Sequence, residues 1–166
     1  MSIHAQKLQH QSENFKIAKV IGNLAEKAML DEVFTTPKPG LVDCYSNGAH
    51  LDMDLSLFCK SAKAITPHMT QMALLGADSV NLNTNLFQKI RKIGIEAEKA
   101  MFHATNGVNT HKGMIFSMGV FSTVAGYCFR HNYQLTDSTL FFLEQQLVKE
   151  TLQEELQQLQ SEPVMN

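Results

Sequence analysis

Apolar residues recur along most of this chain at helical spacing, and strict period-two alternation is scarce. The pattern predicts an all-α fold. A first helix is expected over Glu13–Val33, with Ser12 as its N-cap and Ile17, Val20, Ile21, Leu24, Ala28 and Met29 as its buried stripe. Pro37 and Pro39 force the chain out of the helix, because the residue before a proline is driven from the α region. Thr35–Asn47 therefore reads as loop. A second helix starts near Asp54, a natural cap, and shows Leu57, Phe58, Ala62 and Ile65. Pro67 is expected to kink or divide it, and the remainder to end at Gly76 as the C′ residue. A third helix is expected over Asn85–Ala104, with Phe87, Ile90, Ile93, Ala97 and Met101 inward. The polar loop TNGVNTHKG leads into a fourth, Met114–Arg130. The last segment, Asp137–Gln160, carries Leu140, Leu143, Leu147, Leu152, Leu156 and Leu159 as one stripe against a Gln/Glu face. The expectation is a compact domain over residues 1–166 with about five or six helices and two functional loops, its last stripe open to a second copy in a homodimer.

Composition narrows the function classes. The chain has 166 residues and a formal charge of -2, so no global basic field recruits nucleic acid. The uncharged run Gly113–Phe129 sits at the low edge of a membrane span. It contains three glycines and several Ser/Thr and lacks a Leu/Ile/Val block, so it reads as a buried core helix. The polar N-terminus MSIHAQKLQHQSENFK has no apolar signal region. Cys44, Cys59 and Cys128 are scattered without a CxxC pair, which suits a reducing, cytoplasmic setting.

Chemistry concentrates in two polar segments, Thr36–Asp54 and Thr105–Gly113. In the first, Pro37, Pro39 and Gly40 stiffen a loop around Lys38, and Asp43, His50, Asp52 and Asp54 follow closely. Converging carboxylates attract a divalent cation, and Mg²⁺ takes one or two of them with phosphate oxygens. His50 with a carboxylate can serve as acid or base. Each aspartate also has a plain structural use: Asp54 as a cap, Asp52 near a helix end, Asp43 in a turn. In the second segment, Asn109, Thr110, His111 and Lys112 open directly into a helix, whose free N–H groups and positive end make an anion site. The order Gly-x-x-x-x-Lys-Gly is not a P-loop, which needs Gly-Lys-Ser/Thr. Upstream, Glu96 and Glu98 point in different directions, and Glu98 is one turn from inward-facing Met101. His4, His10, His68, His103 and His131 show no ligand spacing, and nothing near Cys44 in sequence activates it.

The strings EVFTTPKPGLVD, NGAHLDMD, the Ser61–Ala62 pair after Phe58, IEAEKAM and TNGVNTHKGMIFSMG occur in the order seen in the triphosphoribosyl-dephospho-coenzyme A synthase family. The chain resembles that family over about Ala28–Gly126, and the TPKPGLVD and NTHKG strings are specific. The resemblance implies an all-helical, cytoplasmic enzyme. Such an enzyme transfers the triphosphoribosyl group of ATP to the 2′-hydroxyl of 3′-dephospho-coenzyme A and releases adenine. The product is the prosthetic-group precursor of the acyl carrier subunit of citrate lyase or malonate decarboxylase, and Mg²⁺ is the expected companion of ATP. Members are typically longer, with a second helical half, so this chain corresponds to the N-terminal part.

On that reading, residue types suggest roles. Lys38, Lys112 and the helix start after Asn109 and Thr110 would hold the triphosphate. Asp52 or Asp54 would take Mg²⁺, with Glu98 or Glu96 beside it. His50 or Asp43 is the base candidate, Glu98 a further catalytic carboxylate, and His111 would hydrogen-bond a phosphate or protonate adenine. Two other readings stand beside it. One is a helical metal-dependent phosphohydrolase, suggested by His50-x-Asp52. The other is a nucleotide-binding domain without turnover.

Overall fold

A computed structural model describes residues 3–161 of the chain; the side chains of residues 3, 4, 7 and 158–161 lie outside that description, among them those of His4 and Leu159. It contains five helices: α1 (Ile3–Phe34), α2 (Leu55–Asp78), α3 (Thr84–Ala104), α4 (Lys112–His131) and α5 (Asp137–Ser161). No strand occurs among the described residues. The all-α reading holds.

Helix α2 is the hub, packed against α1, α3 and α4. Its start follows from the sequence: Asp54 is the N-cap and accepts from the Leu57 N–H at 2.8 Å. Its continuation does not. Pro67 lies inside an unbroken helix, on an exposed position where its ring meets solvent rather than a neighbour. Gly76 is not a C′ residue either. It is buried inside the last turn of the helix, whose C-cap is Ser79, and a Cβ there would overlap the Thr123 carbonyl of α4. Gly126 of α4 mirrors it, facing the Ala73 carbonyl of α2. The two helices thus touch backbone to backbone, an approach only glycine permits.

The same logic corrects the reading of α1. This helix starts about ten residues earlier than expected, so Ser12 is helical rather than a cap. Its core face is Asn14, Ala18, Gly22, Ala25, Met29 and Val33. Of the expected stripe only Met29 is buried; Ile17 and Ile21 are half-buried, while Val20, Leu24 and Ala28 face outward. Bulk misled the reading, because α1 approaches α2 through small residues, with Gly22 against Thr70. About a third of the way along α1, Asn14 bridges to α2 through the Ala77 carbonyl at 3.1 Å and Asp78 at 2.8 Å.

Helix α3 follows its pattern closely. Asn83 caps it by accepting from Leu86 N–H at 3.0 Å, and Leu86, Phe87, Ile90, Ala97 and Met101 are buried. Ile93 packs at the edge of the core. Helix α4 is the expected core helix, and no helix among the described residues is long and apolar enough to cross a membrane. Among the described side chains of α5, Leu143, Leu147 and Thr151 are buried, whereas Leu152 and Leu156 remain exposed. Arg91 of α3 ties α5 down through an ion pair with Glu155 and lies 5.6 Å from the Phe87 ring centroid.

A direct comparison tests the backbone contact. Gly126→Ala drives a methyl into the Ala73 carbonyl and should cost about 3 kcal/mol in urea unfolding. Gly94→Ala meets only the end of Met72, at 3.7 Å, and should gain up to about 1 kcal/mol from helix propensity.

Candidate functional site

Residues 35–54 join α1 to α2 without regular secondary structure, so their backbone groups need local partners. Asp43 supplies them. Its Oδ1 accepts from Tyr45 N–H at 2.8 Å and Ser46 N–H at 3.0 Å. Its Oδ2 accepts from the Thr36 hydroxyl at 2.9 Å and Lys38 N–H at 3.2 Å. These donors, the Tyr45 N–H foremost, hold the carboxyl down to about 2. All four acceptor positions of the carboxylate are taken, so Asp43 is the anchor of the loop and a poor proton acceptor. That geometry speaks against the base role suggested for it. The loop closes where Gly48 stacks on Gly40, and Ala49 N–H donates to the Gly40 carbonyl at 3.1 Å. Gly40 and Gly48 both have positive φ, 80° and 58°. The Thr36–Pro37 peptide is cis.

The anchored loop presents Lys38 inward. Its ammonium donates to the Glu32 carbonyl at 2.9 Å and the Glu32 carboxylate at 3.0 Å, and its side chain is only 13% exposed. The second segment begins with a Schellman closure of α3: Asn106 and Gly107 have positive φ, and Gly107 N–H donates to the Phe102 carbonyl at 2.8 Å. The chain then reverses into α4. Asn109 accepts from Lys112 N–H at 3.2 Å, while Gly113 and Met114 N–H have no acceptor among the described residues. Lys112 pairs with Glu98 at 2.5 Å.

Between these segments lies a cavity of about 410 Å³. It brings together Lys38 and His50 from the first segment with Asn109, Thr110, His111 and Lys112 from the second. Glu32, absent from the sequence-derived site, joins them. Asp43, the loop anchor, does not line it, and three further expected residues sit elsewhere. Asp52 and Asp54 line a neighbouring depression of about 230 Å³, and Asp54 spends one oxygen on the helix cap. Glu98 lines an apolar groove of about 330 Å³ between α3 and α4, joined to the main cavity by Lys112, which borders both. Glu96 is turned to solvent, paired with Lys99 at 2.8 Å. Among the described residues no three His, Cys, Asp or Glu side chains converge on a metal position. Cys44 is exposed, a free thiol whose Sγ lies 3.2 Å from the Phe34 carbonyl.

His111 is the unusual member. It is 2% exposed, with its ring edge-on to Phe58 at 5.1 Å. Burial pushes its pKa down to about 4, and Glu32 offsets this only in part. The ring is therefore neutral at physiological pH. That argues for hydrogen bonding over supply of a proton to a leaving base. Ser61, buried on α2, lies 2.7 Å from its Nδ1. Its signal in the sequence was a hydroxyl at a core position, between Phe58 and Ile65 at helical spacing.

A family model described as ATP:dephospho-CoA triphosphoribosyl transferase (CitG) matches residues 18–163. The chain belongs to this transferase family. Named relatives agree. It is 50% identical over 117 residues to a Vibrio cholerae protein named "Probable 2-(5''-triphosphoribosyl)-3'-dephosphocoenzyme-A synthase", covering 70% of this chain and 37% of that one. It is 43% identical over 137 residues to the 2-(5''-triphosphoribosyl)-3'-dephosphocoenzyme-A synthase of Haemophilus ducreyi, covering 81% and 42%. The synthase of the same name from Escherichia fergusonii is 42% identical over 140 residues, covering 84% and 46%. The chain thus spans less than half the length of these transferase relatives. No solved structure matches it.

The His111 environment sets a pH dependence. Its folded pKa, about 4, lies below the ordinary 6.5, so the fold gains stability above 6.5 and loses it as pH falls toward 4. Thermal melts should show Tm falling through that window, and His111→Gln should flatten the upper part, where carboxylates are still ionised. A Tm independent of His111 would show that the ring is not held neutral.

Proposed function

We propose that this chain carries the nucleotide-handling site of a triphosphoribosyl-dephospho-CoA synthase: it binds ATP and 3′-dephospho-CoA and takes part in transferring the triphosphoribosyl group to the 2′-hydroxyl with release of adenine. The observation that carries this is the single cavity in which Lys38, Lys112 and the free N–H groups of Gly113 and Met114 converge. A loop-to-helix entry with two lysines suits a polyphosphate. Family membership and the relatives' names supply the reaction. The reading places the work in the cytoplasm, and the product serves an acyl carrier subunit of citrate lyase or malonate decarboxylase.

The chemistry is glycosyl transfer. The 2′-oxygen attacks C1′ of the ATP ribose, the C1′–N9 bond breaks, and positive charge develops at C1′ and the ring oxygen. Glu32 is the carboxylate that lines the cavity and is suited to stabilise that charge once a phosphate has taken over Lys38. His50, half-buried at the cavity wall, would serve as the base for the incoming hydroxyl. Asp52 and the second oxygen of Asp54 would hold a Mg²⁺ ion, which takes one or two carboxylates beside phosphate oxygens. Mg²⁺ there would neutralise triphosphate charge.

The test is adenine release from ATP and Mg²⁺, followed by chromatography with and without 3′-dephospho-CoA. Release that needs the second substrate is expected, and phosphate release without adenine would instead favour a phosphohydrolase. ATP binding without turnover would mark a nucleotide-binding domain. Lys112→Ala should weaken ATP binding at least about tenfold by calorimetry, the worth of one charge-assisted contact. Asp52→Asn and Asp54→Asn should each depress Mg²⁺-dependent turnover; unchanged turnover in both sinks the metal assignment.

A further inference from the structure

Ser61 and His111 form a relay that the cavity chemistry above does not use. Ser61 is fully buried, so its hydroxyl needs partners inside the protein. It has two, each at 2.7 Å: the Thr110 hydroxyl, which donates to it, and His111 Nδ1. A hydroxyl holds one proton and two lone pairs. With Thr110 donating to it, Ser61 has Nδ1 as the one acceptor among the described residues in reach of its own proton, and a buried proton needs an acceptor. A neutral imidazole that accepts at Nδ1 carries its proton on Nε2. That Nε2 is buried and has no partner among the described residues. An orphaned buried donor is rare and calls for a missing acceptor. His111 lines the cavity next to Gly113 and Met114, whose N–H groups are free at the start of α4.

We propose that Ser61, oriented by Thr110, is a positioning residue that fixes His111 as the Nε2–H tautomer, reserving that buried neutral donor for a phosphate oxygen of the nucleotide. The identity of the ligand rests on the function proposed above; the tautomer does not. The arrangement joins a neutral donor to two lysines, so the site adds a directional hydrogen bond without burying a third positive charge. Burial supports the assignment by keeping the ring neutral.

The experiment is a long-range ¹H–¹⁵N spectrum of the ¹⁵N-labelled full chain near neutral pH, with the His111 ring assigned by its loss in His111→Gln. The expected pattern is a protonated Nε2 and an unprotonated, hydrogen-bonded Nδ1. Ser61→Ala should move the Nδ1 resonance and weaken binding of inorganic tripolyphosphate about tenfold. Thr110→Val should move the same resonance, and Thr110→Ser should restore it. Should Ser61→Ala fail to fold, the Thr110 pair carries the test. A protonated Nδ1 in the unaltered chain, or an Nδ1 resonance unmoved in Thr110→Val, overturns the proposal. A fixed Nε2–H tautomer in a chain that does not bind tripolyphosphate overturns the phosphate assignment and the nucleotide reading together, while the hold of Ser61 on the tautomer stands apart from both.

Discussion

The site depends on the close approach of α2 and α4. Gly76 and Gly126 let the two backbones meet, and the two helices run in the same direction from there. Near their N-terminal ends the same pairing sets Ser61 beside His111. Any side chain larger than hydrogen at the contact would spread the pair. The penalty would be felt as lost stability at one end and lost registration of the hydroxyl with the imidazole at the other. A few van der Waals contacts between glycine and a carbonyl thus govern hydrogen-bond geometry several helical turns away.

A second constraint is electrostatic. Both lysines of the cavity are already paired, Lys38 with Glu32 and Lys112 with Glu98. The glutamates keep the lysine heads in place and limit mutual repulsion in the resting protein. On the proposed function, a polyphosphate would therefore exchange with carboxylates rather than meet bare cations, and the gain on binding would be the difference between two charge-assisted arrangements. This suits a ligand of high charge density over a single phosphate.

Much of the fold was legible in the sequence. Helix α3 shows why: Phe87, Ile90, Ala97 and Met101 follow one period on one face. Helix α1 was misread because it carries two apolar faces, and the bulkier one, with Val20 and Leu24, is not the one that packs. Pro67 and Gly76 were misread because local rules for proline and glycine ignore which side faces a neighbour. For the site, the two loops were identifiable from clustered polar residues and helix starts. Their convergence on one cavity was not, since it depends on helix pairing across long separations. Asp43 could be recognised as important but not as an anchor, because its partners are mostly main-chain amides that no residue pattern displays. Glu32 and Ser61 stand in the strings that carry the resemblance, but their place in the site was not legible, because on a helix one polar residue looks like surface or chance.

The Asp43 anchor has a bearing on how freely this loop can drift in evolution. Three of its four donors are backbone N–H groups, of Lys38, Tyr45 and Ser46. The Asp43 carboxylate and the Thr36 hydroxyl thus carry most of the shape, the Ser46 hydroxyl adds a contact by accepting from Gly48 N–H at 3.3 Å, and the Tyr45 side chain has no hydrogen bond in it. Tyr45, 87% exposed, is free to vary in size and polarity without disturbing Lys38. The loop is mutationally robust at Tyr45 and brittle at buried Asp43 and at the two glycines that close it, Gly40 and Gly48.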